Sequence, residues 1–109
     1  MPDFDLAQFV AAVRAYAPIW ERAGITWRLT LGPVRDKSAA WIDCEIGDVA
    51  DRLIIWTSGE AELDVGDTAT GVASTHYDLS SSAELGGCLA ALTQSLAAAA
   101  ERSGVAATE

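Results

Sequence analysis

Apolar and polar residues alternate along residues 41–47 and 60–67 in the middle of the chain, and the segment between them, residues 51–59, has a continuous apolar centre, LIIW. Alternation with a period of two is typical of β-strands that bury one face. A short loop at residues 47–51 separates the first two segments, and a Ser58-Gly59 pair typical of a hairpin turn separates the last two. The pattern therefore predicts an antiparallel meander.

The two connections decide which residues share a face of this meander. A two-residue turn places Trp56 opposite Ala61, and the preceding loop lets Ile46 oppose Arg52. The resulting apolar face comprises Ile42, Cys44, Ile54, Trp56, Ala61, Leu63 and Val65. The other side, the predicted acidic face, comprises Trp41, Asp43, Glu45, Leu53, Ile55, Glu60, Glu62 and Asp64.

The predicted acidic face has two interpretations. Charged residues at alternate strand positions are common on the solvated side of an antiparallel sheet. Solvation does not account for Trp41, Leu53 and Ile55 among the carboxylates. Apolar groups inside a polar rim have the composition of a protein interface, unless a helix covers them. We therefore predict that this face binds a protein partner, with His76 of the next strand beside Glu62.

The N-terminal segment carries the pattern of an amphipathic helix. Apolar side chains recur at helical spacing along residues 4–23. Asp3 or Asp5 is suited to cap its start, and Gly24 suits its end. Pro18 removes a backbone hydrogen bond and clashes with the preceding turn. We therefore expect the helix either to end just before Pro18 or to bend there.

A second helix is predicted for residues 82–102. Ser81 and Glu84 have the spacing of a capping box, and apolar residues at helical spacing follow them. From about residue 103 onward we predict a frayed tail. Two further strands are predicted at residues 25–32 and 72–79.

The order of these elements indicates an α+β fold. We predict a largely antiparallel sheet of about five strands, a meander, flanked by an N-terminal and a C-terminal helix. A chain of 109 residues can form one core but not two, so residues 1–109 are predicted to be a single domain.

The acidic composition limits the classes of partner. The net charge is −9 and the pI is near 4.3, which opposes binding to nucleic acid and to anionic membranes and attracts a basic protein. No apolar run approaches 18 residues, and the N-terminus lacks the basic start of a signal peptide. We therefore predict a cytoplasmic protein.

Few groups in the sequence suit catalysis or metal binding. His76 is the only histidine, and Glu62 beside it would favour the charged form, which is a poor general base. No glycine-rich segment matches a phosphate loop, and no acidic segment matches an EF-hand. Cys44 and Cys88, predicted to be buried and reduced, cannot complete a tetrahedral zinc site with one histidine. We predict no enzymatic activity, no cofactor and no metal.

Two segments resemble a known family. They are residues 52–63, RLIIWTSGEAEL, and residues 75–80, THYDLS. An apolar strand ending in W-x-S-G-E, a short acidic strand, a histidine-containing strand and a capped helix are together similar to the TriTu immunity proteins of bacterial polymorphic toxin systems. The resemblance covers about residues 25–100. It implies a small cytoplasmic protein that binds and neutralises a toxin domain, such as a nuclease or a nucleic-acid deaminase with a basic cleft.

Three functions are therefore weighed. The leading one is a non-catalytic toxin inhibitor that acts through the predicted acidic face. The alternative is a small ligand-binding or regulatory domain with a pocket between helix and sheet. A small hydrolase would require His76 and a carboxylate to converge in a cleft. A sizeable apolar pocket containing His76 would favour the last two functions.

Overall fold

The computed structural model describes residues 5–33, 38–67 and 71–103. Its elements are α1 (Leu6–Arg22), β1 (Thr26–Leu31), β2 (Ala39–Ile46), β3 (Val49–Trp56), β4 (Glu60–Asp67), β5 (Gly71–Asp78) and α2 (Ser82–Ser103). The five strands form one antiparallel sheet, and their order across the sheet is their order along the chain. The predicted fold class, an antiparallel meander flanked by two helices, is confirmed.

Helix α1 begins after Asp5, whose carboxylate accepts a hydrogen bond from the backbone amide two residues later. The other predicted cap, Asp3, lies outside the described residues. The helix continues through Pro18, so the predicted early end is wrong. Pro18 is exposed, whereas its neighbours Ala17 and Trp20 are buried. Their packing stabilises a turn that lacks one backbone hydrogen bond.

Helix α2 begins where the capping box predicts. The Glu84 amide donates to the Ser81 carbonyl oxygen at 3.2 Å. The Glu84 carboxylate accepts hydrogen bonds from the amide and hydroxyl of Ser80, one residue earlier than in a standard capping box. These hydrogen bonds lower the pKa of Glu84. Residues 104–109, which form most of the predicted tail, lie outside the described residues.

The connection between β2 and β3 is a tight turn rather than the predicted loop. Ile46 pairs with Val49, so only Gly47 and Asp48 lie between the strands. Gly47 has a φ of 57°, which suits the first central position of a type II′ turn. The predicted pairing of Ile46 with Arg52 is therefore wrong.

The connection between β3 and β4 is one residue longer than predicted. Gly59 donates its amide to the Trp56 carbonyl oxygen at 2.9 Å and adopts a φ of 91°. A β-turn that ends in a left-handed glycine makes a three-residue hairpin loop, here residues 57–59. Ile55 therefore pairs with Ala61.

This shift of one residue turns every β3 side chain to the other face. Leu53 and Ile55, which were predicted on the acidic face, are fully buried. Ile54 and Trp56, which were predicted in the core, lie half-buried on the opposite face. The faces predicted for β2 and β4 are confirmed.

Both helices pack on one face of the sheet, α1 across β1 to β3 and α2 across β2 to β4. The largest fully buried apolar side chains between the two layers are Phe9, Trp20, Ile42, Leu53, Ile55, Leu85, Leu89, Leu92 and Leu96. The Trp20 indole Nε1 donates to the Thr93 hydroxyl at 3.0 Å and so joins the two helices. Cys44 and Cys88 are buried and free, as predicted. Neither described helix combines the length and apolar character needed to span a membrane.

Asp51 is a charged residue inside this core, with 2% of its surface exposed. Neither of its carboxylate oxygens makes a hydrogen bond of ordinary geometry within the described part of the chain. Burial raises the pKa of Asp51, and polar groups of Ser95 and Gly66 offset part of that rise. The same burial, with the charges of Asp51 and Asp43, raises the pKa of the Cys44 thiol to about 12.

Asp51→Asn should raise the free energy of unfolding at pH 7 by about 1 kcal/mol or more, because it removes a buried, unpaired charge at nearly constant volume. The raised pKa means that the folded protein keeps this proton to higher pH than the unfolded chain does. The contribution of Asp51 to the free energy of unfolding of the wild type is therefore lost as the pH rises above about 4, the usual pKa of Asp. Urea unfolding across pH 4–7 should show a growing gap between variant and wild type.

The exposed neighbour Glu45 supplies a matched control on β2. Glu45→Gln removes one charge without changing the core, so its stability should follow wild type across the same pH range. A difference in unfolding free energy between Asp51→Asn and wild type that does not change with pH would contradict a pKa of Asp51 that is higher in the folded than in the unfolded protein.

Candidate functional site

The sheet face that points away from the helices receives alternate residues from all five strands, because cross-strand partners share a face. We call it the open face. Its charged and large apolar members are Arg28, Trp41, Asp43, Glu45, Arg52, Ile54, Trp56, Glu60, Glu62, Asp64, Val72, His76 and Asp78. Carboxylates outnumber cations on it, so its net charge is negative.

The centre of the open face is an ion pair between neighbouring strands. Arg52 Nε donates to Asp43 Oδ1 at 2.6 Å, and Arg52 Nη2 donates to Asp43 Oδ2 at 3.2 Å. The guanidinium carbon also lies 5.6 Å from the centre of the Trp41 ring. The hydrogen bond to Asp43 raises the pKa of Arg52. Arg52 is therefore neutralised within the face.

An apolar strip runs beside this ion pair. Trp41 on β2 lies directly opposite Ile54 on β3, and Trp56 follows two positions along β3. All three side chains are half-buried although neither helix packs on this face. Neighbouring aromatic and β-branched residues on a strand pair stabilise one another by contact. The strip still leaves apolar surface for a partner.

A row of carboxylates follows β4. Glu60, Glu62 and Asp64 alternate along the strand and point to the same side. The Ser74 hydroxyl donates to Asp64 Oδ1 at 2.6 Å, and the Ser58 hydroxyl donates to Glu60 Oε1 at 2.9 Å. A hydrogen bond with Asp64, and the negative charge of Asp64, raise the pKa of Glu62. Two negative carboxylates thus lie side by side, and a cationic group of a partner would relieve their repulsion.

His76 lies where the sequence places it, directly opposite Glu62. Its Nε2 contacts Asp78 Oδ1 at 3.1 Å, and both side chains are exposed. Glu60, His76 and Asp78 offer potential metal-ligand atoms within 4.8 Å of one another. These three ligands are fewer than a structural zinc site uses. The contact between His76 and Asp78 is a hydrogen bond between two exposed side chains of one strand, and such a bond requires no metal.

Two shallow depressions also mark the open face. One of about 520 Å³ is bordered by Arg28, Asp43, Glu45 and Arg52 near β1. A smaller one of about 180 Å³ lies between β2 and β4 beside Asp64. His76 borders neither depression, and it lies on the side of the sheet away from the helices. A helix–sheet pocket that contains His76, as the ligand-binding and hydrolase alternatives need, is not formed by the described residues.

The open face contains most of the predicted binding residues. They are Trp41, Asp43, Glu45, Glu60, Glu62, Asp64 and His76. Leu53 and Ile55 do not reach it, and the prediction missed Ile54 and Trp56 in their place. The signal that could have identified these two is Gly59, since a glycine in third place after the strand is typical of a three-residue hairpin loop.

Comparison with known proteins agrees with the resemblance seen in the sequence. The family model described as immunity protein TriTu matches residues 8–95. This match extends the resemblance into α1, which the two sequence segments did not include. The comparisons with curated proteins and with solved structures gave no match. Because the family model covers most of the 109 residues, the chain belongs to the TriTu family of immunity proteins, whose general role is to neutralise a toxin.

Proposed function

We propose that this chain neutralises its toxin by covering the toxin with the open face. The observation that carries the proposal is an apolar strip, Trp41, Ile54 and Trp56, bordered by carboxylates on a face that neither described helix covers. Desolvated aromatic anchors inside a polar rim supply most of the energy in many protein interfaces. In this proposal seven of the nine predicted binding residues contact the toxin, and Ile54 and Trp56 take the places of Leu53 and Ile55.

The charge of the open face favours a basic partner. Glu60, Glu62 and Asp64 form a line of carboxylates along one strand. Arg52 does not cancel them, because Asp43 neutralises it. A nuclease or a nucleic-acid deaminase binds phosphates in a cationic cleft. A row of carboxylates can occupy that cleft in place of phosphates, and this would block the toxin without any catalytic step by the inhibitor.

A double charge reversal tests the acidic rim. Glu60→Lys with Glu62→Lys should weaken toxin binding by about tenfold or more, chiefly by slowing association. Both side chains are half-buried on the open face and outside the core, so the melting temperature should change little. Stopped-flow association at low and high salt should show a strong salt dependence for wild type and a weaker one for the variant.

Glu101→Lys with Asp48→Lys is the control for net charge, since it changes the charge by the same amount at two exposed residues outside the open face. It should reduce the association rate much less than the double reversal. If the double reversal binds as tightly as wild type, the carboxylates of β4 are not part of the interface.

The proposed function itself is tested by co-expression with the toxin domain encoded beside this chain in its genome. We expect rescue of growth and a complex that survives co-purification. The toxin alone, shown to be lethal, and an inactive toxin variant are the controls. Unrescued growth with an active toxin would overturn the proposal.

A further inference from the structure

The edge strand β5 is unusually accessible. Seven of its eight residues are exposed, and only Tyr77 is half-buried. Within the described ranges β5 pairs with β4 alone. Helix α2 packs over β2, β3 and β4, so β5 extends beyond the helical layer. Its free edge and much of both its faces are therefore open to a partner.

The register shows which backbone groups this free edge presents. The Leu79 amide donates to the Gly59 carbonyl oxygen at 2.7 Å, in line with the pairing of Ala61 and Tyr77. In an antiparallel pair, residues that bond to the neighbouring strand alternate with residues that point away from it. The amides and carbonyls of Val72, Ser74, His76 and Asp78 therefore point outward from the sheet.

Little in the strand hinders the addition of another strand. Exposed edges are commonly protected by proline, lysine or a covering element, and Gly71–Asp78 contains neither proline nor lysine. Val72, with 74% of its surface exposed, adds an apolar contact. The opposite edge, β1, is shorter, is packed by α1 and carries the cation Arg28.

We propose that the toxin docks by adding an extended strand to β5, with basic side chains on the open-face side of that strand. The inference rests on the proposed function and states which part of the chain makes the backbone contacts. An added strand would lie about 5 Å from β5 and about 10 Å from β4. Long basic side chains from alternate positions could then reach Asp78, Glu62 and Asp64, while the added backbone completes the sheet.

Charge complementarity selects a basic toxin strand over a second copy of this chain. Each copy carries a net charge of −9. Pairing two β5 strands would bring two Asp78 side chains and two β4 carboxylate rows into one sheet, and like charges on neighbouring strands are destabilising. A basic strand reverses the sign of each of these interactions.

Ser74→Pro tests the proposal because proline removes an outward-pointing amide while an edge strand tolerates it. With the same toxin domain, we expect about a tenfold or greater loss of affinity, with the melting temperature and circular dichroism near wild type. Ser74→Ala is the matched control, since it removes the hydroxyl that bonds Asp64 but keeps the amide. Ser74→Pro should bind the toxin more weakly than Ser74→Ala does, because both lack the hydroxyl and only the proline lacks the amide.

A second measurement does not depend on the stability of the proline variant. Amide hydrogen exchange of the wild-type chain should slow on toxin binding at Val72, Ser74, His76 and Asp78. If those amides exchange equally fast in the complex, or if a folded Ser74→Pro variant binds like wild type, the docking edge is overturned while toxin neutralisation stands. Self-association of the wild type that Ser74→Pro abolishes would assign the edge to a second copy and also overturn it. Failure of the wild type to bind or rescue would instead reject the proposed function.

Discussion

Trp56→Ala should greatly weaken toxin binding while the protein stays folded. Trp56 is half-buried on the open face, two positions from Ile54 and on the side of the sheet away from the helices. Truncating an aromatic anchor at the centre of an interface costs about 2 kcal/mol or more, which is about a 30-fold increase in Kd. Titration calorimetry against the toxin domain, together with thermal unfolding of the free variant, measures both quantities.

Trp56→Phe keeps an aromatic anchor and is the matched control, so it should retain most of the affinity. A folded Trp56→Ala variant with wild-type affinity would remove the apolar strip from the interface. A large loss of stability would instead mean that Trp56 packs in the core, as the sequence pattern alone predicts.

Leu53→Ala should have the opposite effects. Leu53 lies on the same strand three residues earlier, but its side chain is fully buried between the sheet and the helices. Truncating a buried leucine costs about 2–5 kcal/mol, because apolar contact is lost and a cavity remains. For a domain of this size the melting temperature should fall by roughly 10 °C or more. Differential scanning calorimetry measures the change.

At a temperature where Leu53→Ala is still folded, its toxin affinity should stay close to that of wild type, because Leu53 contributes no surface to the open face. Leu53→Ile retains the volume and should restore much of the stability. A stable Leu53→Ala variant that fails to bind would show that β3 presents the other set of side chains to the toxin.

The spacing of apolar residues along the chain was sufficient to predict most of the fold. It located both helices and all five strands and assigned the correct faces of β2 and β4, because hydrophobic periodicity reflects burial directly. The carboxylates Glu60, Glu62 and Asp64 were thereby placed together, as the structure has them. The capping box also located the start of α2.

Strand β3 was the element that periodicity could not orient. Its residues 53–56 are Leu, Ile, Ile and Trp, so both alternate sets are apolar and neither is marked as the buried one. The orientation then depends on the length of the loop that follows, and a difference of one residue reverses it. The sequence pattern places Asp51 where the loop meets the second segment and does not assign it to the core, whereas the strand pairing with Cys44 and Val65 buries it there.

The sequence by itself determined the element order, the antiparallel meander, the acidic rim and the resemblance to TriTu immunity proteins, since each follows from residues that are near one another along the chain. The tertiary structure alone decided which side of β3 faces the helices, and therefore that Ile54 and Trp56 rather than Leu53 and Ile55 belong to the open face. It also decided that β5 extends beyond α2. These features depend on the left-handed Gly59 and on how the two helices cover the sheet, which are set by packing between distant segments.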